Sequence, residues 1–183
     1  MCRRLSVLVI GFLMMAAVAH ADVSEKSDLH VSNGIATAVN HYTHFTIFDD
    51  IGAVMDNGVV TLTGKVTMPY KSDDIARRVA RVDGVREVRN RITVLPVSMM
   101  DDQLRLRIAR SVYSNPNLQM YGLGANPSIH IVVENRRVTL TGVVNSDGDR
   151  MIARVMAEQF PALSVTNALK TTAEVRDAGE QSN

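Results

Sequence analysis

The chain has 183 residues, of which 46% are hydrophobic and 21% charged, with 20 basic and 19 acidic side chains for a formal net charge of +1. This composition excludes collagen, a long coiled coil and wholesale disorder, and the balanced charge argues against a broadly basic nucleic-acid binder. One Cys, no Trp, four Phe and four Tyr exclude a disulfide-stapled miniprotein and leave few platforms for stacking single-stranded bases.

Residues 1–21 read as a secretory signal, not as part of the fold. Arg3 and Arg4 form a positive n-region, Leu5 to Ala19 is nearly all apolar, and Ala19-His20-Ala21 is a small-x-small cleavage site. The apolar run is too short for an ordinary spanning helix. Ser6 follows the arginine pair and the rest of a twin-arginine motif is absent, so ordinary secretion is the reading. Cleavage after Ala21 leaves 162 residues with one more acid than bases. Cys2 leaves with the signal and is not placed as a lipoprotein acceptor, so the mature chain must be stabilised by packing alone.

The remainder contains one unit written twice. Val60-Thr61-Leu62-Thr63-Gly64 returns as Val138-Thr139-Leu140-Thr141-Gly142. Ile51, Ala53 and Met55 correspond to Ile129, Ile131 and Val133. Ile75-Ala76-Arg77 corresponds to Ile152-Ala153-Arg154, and Val88-x-Asn90-x-Ile92 to Val165-x-Asn167-x-Leu169.

In chain order, each unit opens on a helix. Val31, Ile35 and Val39, and likewise Leu104, Ile108 and Val112, recur at four-residue steps, with Asp28 and Asp101 as N-caps. Two alternating strands follow. Asp56-Asn57-Gly58 favours a tight hairpin between them, because Asn and Gly tolerate positive φ. Glu134-Asn135-Arg136-Arg137 stands in the second unit and implies a different turn. A second helix, capped by Ser72 or Asp149, carries Ile75, Val79 and Val82, or Ile152, Met156 and Phe160. Gly84 suits a left-handed helix end, and Pro161 in the second copy does not. A last strand runs through Val88, Asn90, Ile92 and Val94, or Val165, Asn167, Leu169 and Thr171. The fold class is therefore α+β: two tandem α-β-β-α-β sandwiches, each with two helices on a three-stranded mixed sheet. Expected boundaries are 28–96 and 99–174, with 175–183 a disordered tail. Units of this size bury a marginal core, so the two are expected to touch.

The VTLTG run, the Ile-Ala-Arg helix, Gly84-Val85 and Val-x-Asn-x-Ile together resemble the BON domain, over residues 28–96 and 99–173. The resemblance implies an α/β sandwich module of envelope proteins, whose members are implicated in binding phospholipid membranes, in osmotic or envelope stress, and in some cases in periplasmic chaperone activity. Some double-BON relatives are lipid-anchored; this chain lacks a lipobox cysteine. One relative is credited with a membrane contact on the first helix of its second unit. The matching helix, residues 101–113, has no Trp and carries Arg105, Arg107 and Arg110.

No catalytic centre stands out. There is no GxSxG or HExxH and no phosphate loop. Gly64 and Gly142 serve backbone geometry, Asn90 and Asn167 read as buried amides satisfying backbone groups, and His30, His41, His44 and His130 read as surface or packed residues, not zinc ligands. Asn145-Ser146-Asp147-Gly148-Asp149 fails as a calcium loop, since Arg150 and Met156 occupy the positions of its Gly and bidentate Glu. No metal, cofactor or small-molecule substrate is expected.

Two features are candidate contact sites. The loop from Val112 to Ile129 is five residues longer than its counterpart and includes Leu118, Met120, Tyr121 and Leu123. It is either a docking element or a cover over the core or the first unit. Arg77, Arg78 and Arg81, with Arg89 and Arg91, form either a patch for anionic headgroups or, with Asp73, Asp74, Asp83 and Glu87, a solvated mixed-charge face. The functional expectation is a non-enzymatic periplasmic protein that binds the phospholipid surface and supports the envelope under osmotic or envelope stress. The rival is a periplasmic chaperone or adaptor holding apolar segments of client proteins.

Overall fold

The computed structural model describes residues 19–124 and 126–180. The signal-peptide reading falls largely on residues outside that range. Helix α1 (Ala19–Asn40) passes through Asp28, so Asp28 is not its cap. Its buried stripe is Val31, Ile35 and Val39, as the spacing predicts. Strands β1 (Asp50–Asp56) and β2 (Val59–Val66) pair as an antiparallel hairpin, joined by Asn57 at φ 48° and Gly58 at φ 76°. Both central residues lie in the left-handed region, as a type I′ turn requires. Helix α2 (Pro69–Val79) crosses back so that β3 (Glu87–Asn90) and β4 (Thr93–Val94) lie parallel to β2 on its other side. Val60, Leu62 and Val66 of the central strand are fully buried against α1, Ile75 and Val79; each such side chain contributes about 1.5–3 kcal/mol. Ser72 is buried inside α2 and does not cap it; Pro69 opens the helix instead. The helix stops at Val79, and Gly84, at φ 91°, turns the chain four residues beyond its cap at Ala80.

The second unit repeats the order: α3 (Met99–Ser114), a 3₁₀ turn (Gln119–Gly122), β5 (Ile129–Glu134), β6 (Arg137–Val144), α4 (Asp147–Glu158), β7 (Ser164–Asn167) and β8 (Lys170–Thr171). The caps are serines three residues ahead of the aspartates expected: Ser98 accepts from the Asp101 N–H at 3.2 Å, and Ser146 from the Asp149 N–H at 3.1 Å. On α4 the fully buried positions are Ala153 and Ala157, while Ile152, Met156 and Phe160 pack around them half-buried. The small alanines let this helix approach the sheet closely.

The third lane of each sheet is broken, so each sheet has four strands where three were expected. The asparagines cause the break. Asn90 donates to Ser72 Oγ at 2.9 Å and accepts from the Ile92 N–H at 3.1 Å. Asn167 donates to the Arg150 carbonyl at 2.8 Å and accepts from the Leu169 N–H at 3.3 Å. Each ties the lane to the helix above it and diverts one ladder bond. Their partners are mainly backbone groups, as read from the sequence, but neither is a buried amide: Asn90 is exposed and Asn167 half-buried.

The β5–β6 turn corrects a second expectation. Asn135 (φ 50°) and Arg136 (φ 61°) take the same left-handed pair of conformations as Asn57 and Gly58. An arginine there costs about 1–2 kcal/mol. The buried Asp101 carboxylate offsets it by accepting both turn amides, Asn135 N–H at 2.8 Å and Arg136 N–H at 2.9 Å. We expect Arg136→Gly to relieve the strain at the loss of one bond from Arg136 to the Pro161 carbonyl. Thermal unfolding should show a midpoint about 3 °C higher, the equivalent of about 1 kcal/mol for a chain of this size. An unchanged or lowered midpoint would mean the clamp has already absorbed the strain.

The units touch through residues 45–49, which leave α1 and reach the second unit. Ile47 and Phe48 pack on its core. The Ile47 carbonyl accepts from the Ile131 N–H at 2.7 Å, His130 Nδ1 lies 2.7 Å from the Asp49 carbonyl, and Lys65 pairs with Glu134. Residues 175–180 of the expected disordered tail are helical: α5 (Thr172–Glu180) opens on a reciprocal Thr171–Glu174 cap, with no buried side chain.

Candidate binding surfaces

The long loop splits. Leu118 and Tyr121 belong to the second core and are unavailable to a partner. Tyr121 donates to Asp149 at 2.8 Å and accepts from the Asn145 N–H at 2.8 Å. In the first unit the equivalent amide, Thr67 N–H, donates instead to Asp49 at 2.7 Å. The tyrosine thus does the structural work of a carboxylate that the second unit lacks. Met120 and Leu123 do face solvent, at 53% and 76% exposure.

The arginines of α2 are mostly occupied. Arg77 pairs with Asp74. Arg78 donates to the carbonyls of Ala38 at 3.1 Å and His41 at 3.3 Å and lies over the Tyr42 ring, so it fastens the end of α1. The Tyr42 hydroxyl donates to Asp74 at 2.7 Å. That bond, with the Arg77 pair, holds the Asp74 carboxyl below the ordinary carboxylate range. Arg89 pairs with Glu87. Arg81 is exposed and unpaired among the described residues. This face has the mixed-charge character of the second sequence reading.

A further surface lies on α3, the helix that matches the membrane contact credited to a relative. Met99, Gln103, Leu106 and Arg110 recur at steps of four, three and four, which places them on one face. Met99 and Leu106 are 77% and 54% exposed, and Met100 and Arg107 flank them. Arg107 lies over the Phe160 ring, and neither Arg107 nor Arg110 is in an ion pair among the described residues. Beside them a shallow depression of ≈ 110 Å³ is lined by Met100, Gln103, Leu104, Arg107, Arg136 and Pro161. The signal was present in the sequence: Leu106 falls off the buried stripe of Leu104, Ile108 and Val112.

Among the described residues no group of three His, Cys, Asp or Glu side chains is placed to hold a metal ion, and no helix is long and apolar enough to cross a membrane. The family model described as BON domain matches residues 30–96 and 101–173. No curated protein matches the chain significantly. Among solved structures it is similar to CdsD, a structural protein of the Type III secretion system of Chlamydia trachomatis, at 13% identity over 83% of this chain and 97% of that one, with a TM-score of 0.27. A structure of the CdsD C-terminal domain matches at 12% identity over 75% of this chain and 94% of that one, with a TM-score of 0.26.

Proposed function

The chain belongs to the BON domain family, and from that membership we propose that it is a non-enzymatic periplasmic protein that binds phospholipid membrane surfaces and supports envelope integrity under osmotic or envelope stress. The family is associated in general with phospholipid binding and envelope roles, is generally non-enzymatic and is typically periplasmic. The observation that supports a lipid contact here is the outer face of α3, where Met99, Met100 and Leu106 are exposed beside Arg107 and Arg110. The one exposed acid beside them, Asp102, is paired with Arg105 at 3.1 Å and leaves Arg107 and Arg110 without an ion pair among the described residues; exposed apolar side chains among such cations suit a surface that offers hydrocarbon beneath anionic headgroups. The arginines of α2 suit it less, since Asp74 and the carbonyls of α1 hold two of the three.

Flotation of the chain from Asp22 onward with vesicles of phosphatidylcholine, with and without phosphatidylglycerol, tests the reading. Binding should require the anionic lipid and weaken with salt. Charge reversal at Arg107 and Arg110 together removes at least about 2 kcal/mol of attraction, at about 1 kcal/mol per basic residue, or roughly a thirtyfold loss. Leu106→Asp should weaken it further. Equal flotation of the variants, with circular dichroism unchanged, removes α3 from the contact. No flotation at all, with suppression of the aggregation of an unfolded client, favours the chaperone or adaptor reading, with exposed Met120 and Leu123 as the grip to mutate next.

A further inference from the structure

The two units close the outer edge of their hairpins differently. Leu140 accepts from the Ala168 N–H on the far side of β6, so in the antiparallel pair Ile131↔Leu140 the backbone groups of Ile131 face away from β6. Those of Ile129 and Val133, two residues to either side, face the same way. That edge is capped at three points. Tyr113 donates its hydroxyl to the Ile129 carbonyl at 2.5 Å, the Ile47 carbonyl accepts the Ile131 N–H at 2.7 Å, and Arg105 donates to the Val133 carbonyl at 3.1 Å. The same derivation applies to the first unit, where Leu62 accepts from the Arg91 N–H and pairs with Ala53. Ile51, Ala53 and Met55 therefore present their N–H and C=O groups outward. The positions corresponding to Arg105 and Tyr113 are Ser32 and Asn40, and among the described residues no group reaches this edge. Gly52, Ala53 and Val54 are all exposed, Val54 at 67%.

We propose that the β1 edge, residues 51–55, is a docking site for an extended protein segment that adds a strand beside β1 and carries basic residues six positions apart. An uncovered edge is a template for strand addition, which supplies main-chain hydrogen bonds independent of side-chain identity. Charge chooses the occupant. Asp50, Gly52, Val54 and Asp56 alternate onto the sheet face away from the helices, and neither aspartate is in an ion pair among the described residues. Lys65 stands opposite Asp50 in the β1–β2 register, but its ammonium is engaged by Glu134, so an incoming strand meets an acid at each end and an apolar centre. A second copy of β1 fits poorly: antiparallel pairing about Ala53 sets Asp50 opposite Asp56 at both ends, and like charges directly opposite are destabilising. The turn at 45–49 shows this chain already closing the equivalent edge of β5 with a backbone carbonyl, that of Ile47. The site lies on the other unit from the lipid face and stands or falls independently of it.

The test titrates the intact two-unit chain with the peptide Lys-Thr-Val-Thr-Val-Thr-Lys and with its Glu-flanked counterpart, following amide hydrogen exchange by NMR. The lysine peptide should slow exchange at least tenfold at the outward amides of Ile51, Ala53 and Met55, and the glutamate peptide should not. Asp50→Lys with Asp56→Lys should invert the preference. Ala53→Pro removes one outward donor without breaking a β1–β2 bond and should weaken binding at least tenfold; should it fail to fold, the wild-type exchange pattern decides alone. Unchanged exchange at these amides under excess lysine peptide overturns the proposal. So does equal binding of both peptides, or sedimentation showing dimers that Ala53→Pro abolishes.

Discussion

Gly142→Ala unfolds the second unit, or leaves it barely stable at room temperature. Gly142 lies at φ 113°, and a Cβ there would sit 1.9 Å from the Ser128 carbonyl oxygen. The obstacle is backbone, and it is held: Ile129 pairs with Gly142, and the Val143 N–H donates to that same Ser128 carbonyl at 3.1 Å. Neither strand can retreat without opening the hairpin that carries Ile129, Ile131 and Leu140 into the core. Backbone strain of about 1–3 kcal/mol and overpacking of about 1–3 kcal/mol add here, against a total stability of about 5–15 kcal/mol. Gly64→Ala should act alike in the first unit, where the corresponding gap to Asp50 O is 2.1 Å. Gly52→Ala is the control; its nearest obstruction is the Thr63 hydroxyl at 3.1 Å. Urea unfolding followed by circular dichroism measures all three. A Gly142→Ala midpoint equal to that of Gly52→Ala would contradict the argument.

The second large effect is expected at Asp49. Its carboxylate is fully buried and accepts five hydrogen bonds, from the Thr46 N–H and hydroxyl, the Thr67 N–H and hydroxyl, and the buried Lys71 ammonium at 2.6 Å. Lys71→Met leaves a buried charge without its cation and should cost about 3–5 kcal/mol. Asp49→Ala should cost more, because it strands two backbone amides as well as the ammonium. Acidity reports the same balance. Burial alone pushes the Asp49 carboxyl up, but the bonds from Lys71, Thr46 and Thr67 outweigh it and leave it below its ordinary value. A carboxyl depressed on folding contributes stability that is present above its unfolded pKa of about 3.9 and is lost as pH falls through the folded value. In Lys71→Met the largest bond opposing burial is gone, so the folded carboxyl rises and acid unfolding should move to higher pH. An acid midpoint that stays put in the variant would show that the ammonium does little to hold the charge.

What could be read in advance was whatever recurs along the chain. The stripes of α1, α2 and α3, the alternation of β2, the Asn57-Gly58 turn and the duplication itself are local or periodic signals that the structure carries, whereas on α4 the buried positions are Ala153 and Ala157. What escaped depends on distant partners. Asn135-Arg136 looks unsuited to a left-handed turn until Asp101, 34 residues away from Asn135, takes both amides. Asp101 was assigned to a cap for the same reason: its partner is invisible from its neighbours. Tyr121 among loop residues gave no sign that it would stand in for Asp49. Nothing near Arg105 and Tyr113 in the sequence marks them as closing a sheet edge, because the carbonyls they reach lie 28 and 16 residues away. The outer face of α3 is periodic and legible in Met99, Gln103, Leu106 and Arg110.

Residues 45–49 bear on where this protein can be cut. The linker at 96–98 divides the duplicated text, whereas the packing does not divide there: Ile47 and Phe48 fill the second core, and the Ile131 amide depends on the Ile47 carbonyl. A fragment starting at Met99 would be born with a hole in its interior, and a fragment ending at Pro96 would carry two oily side chains with no seat. The half synthesised first thus supplies the plug for the half that follows it.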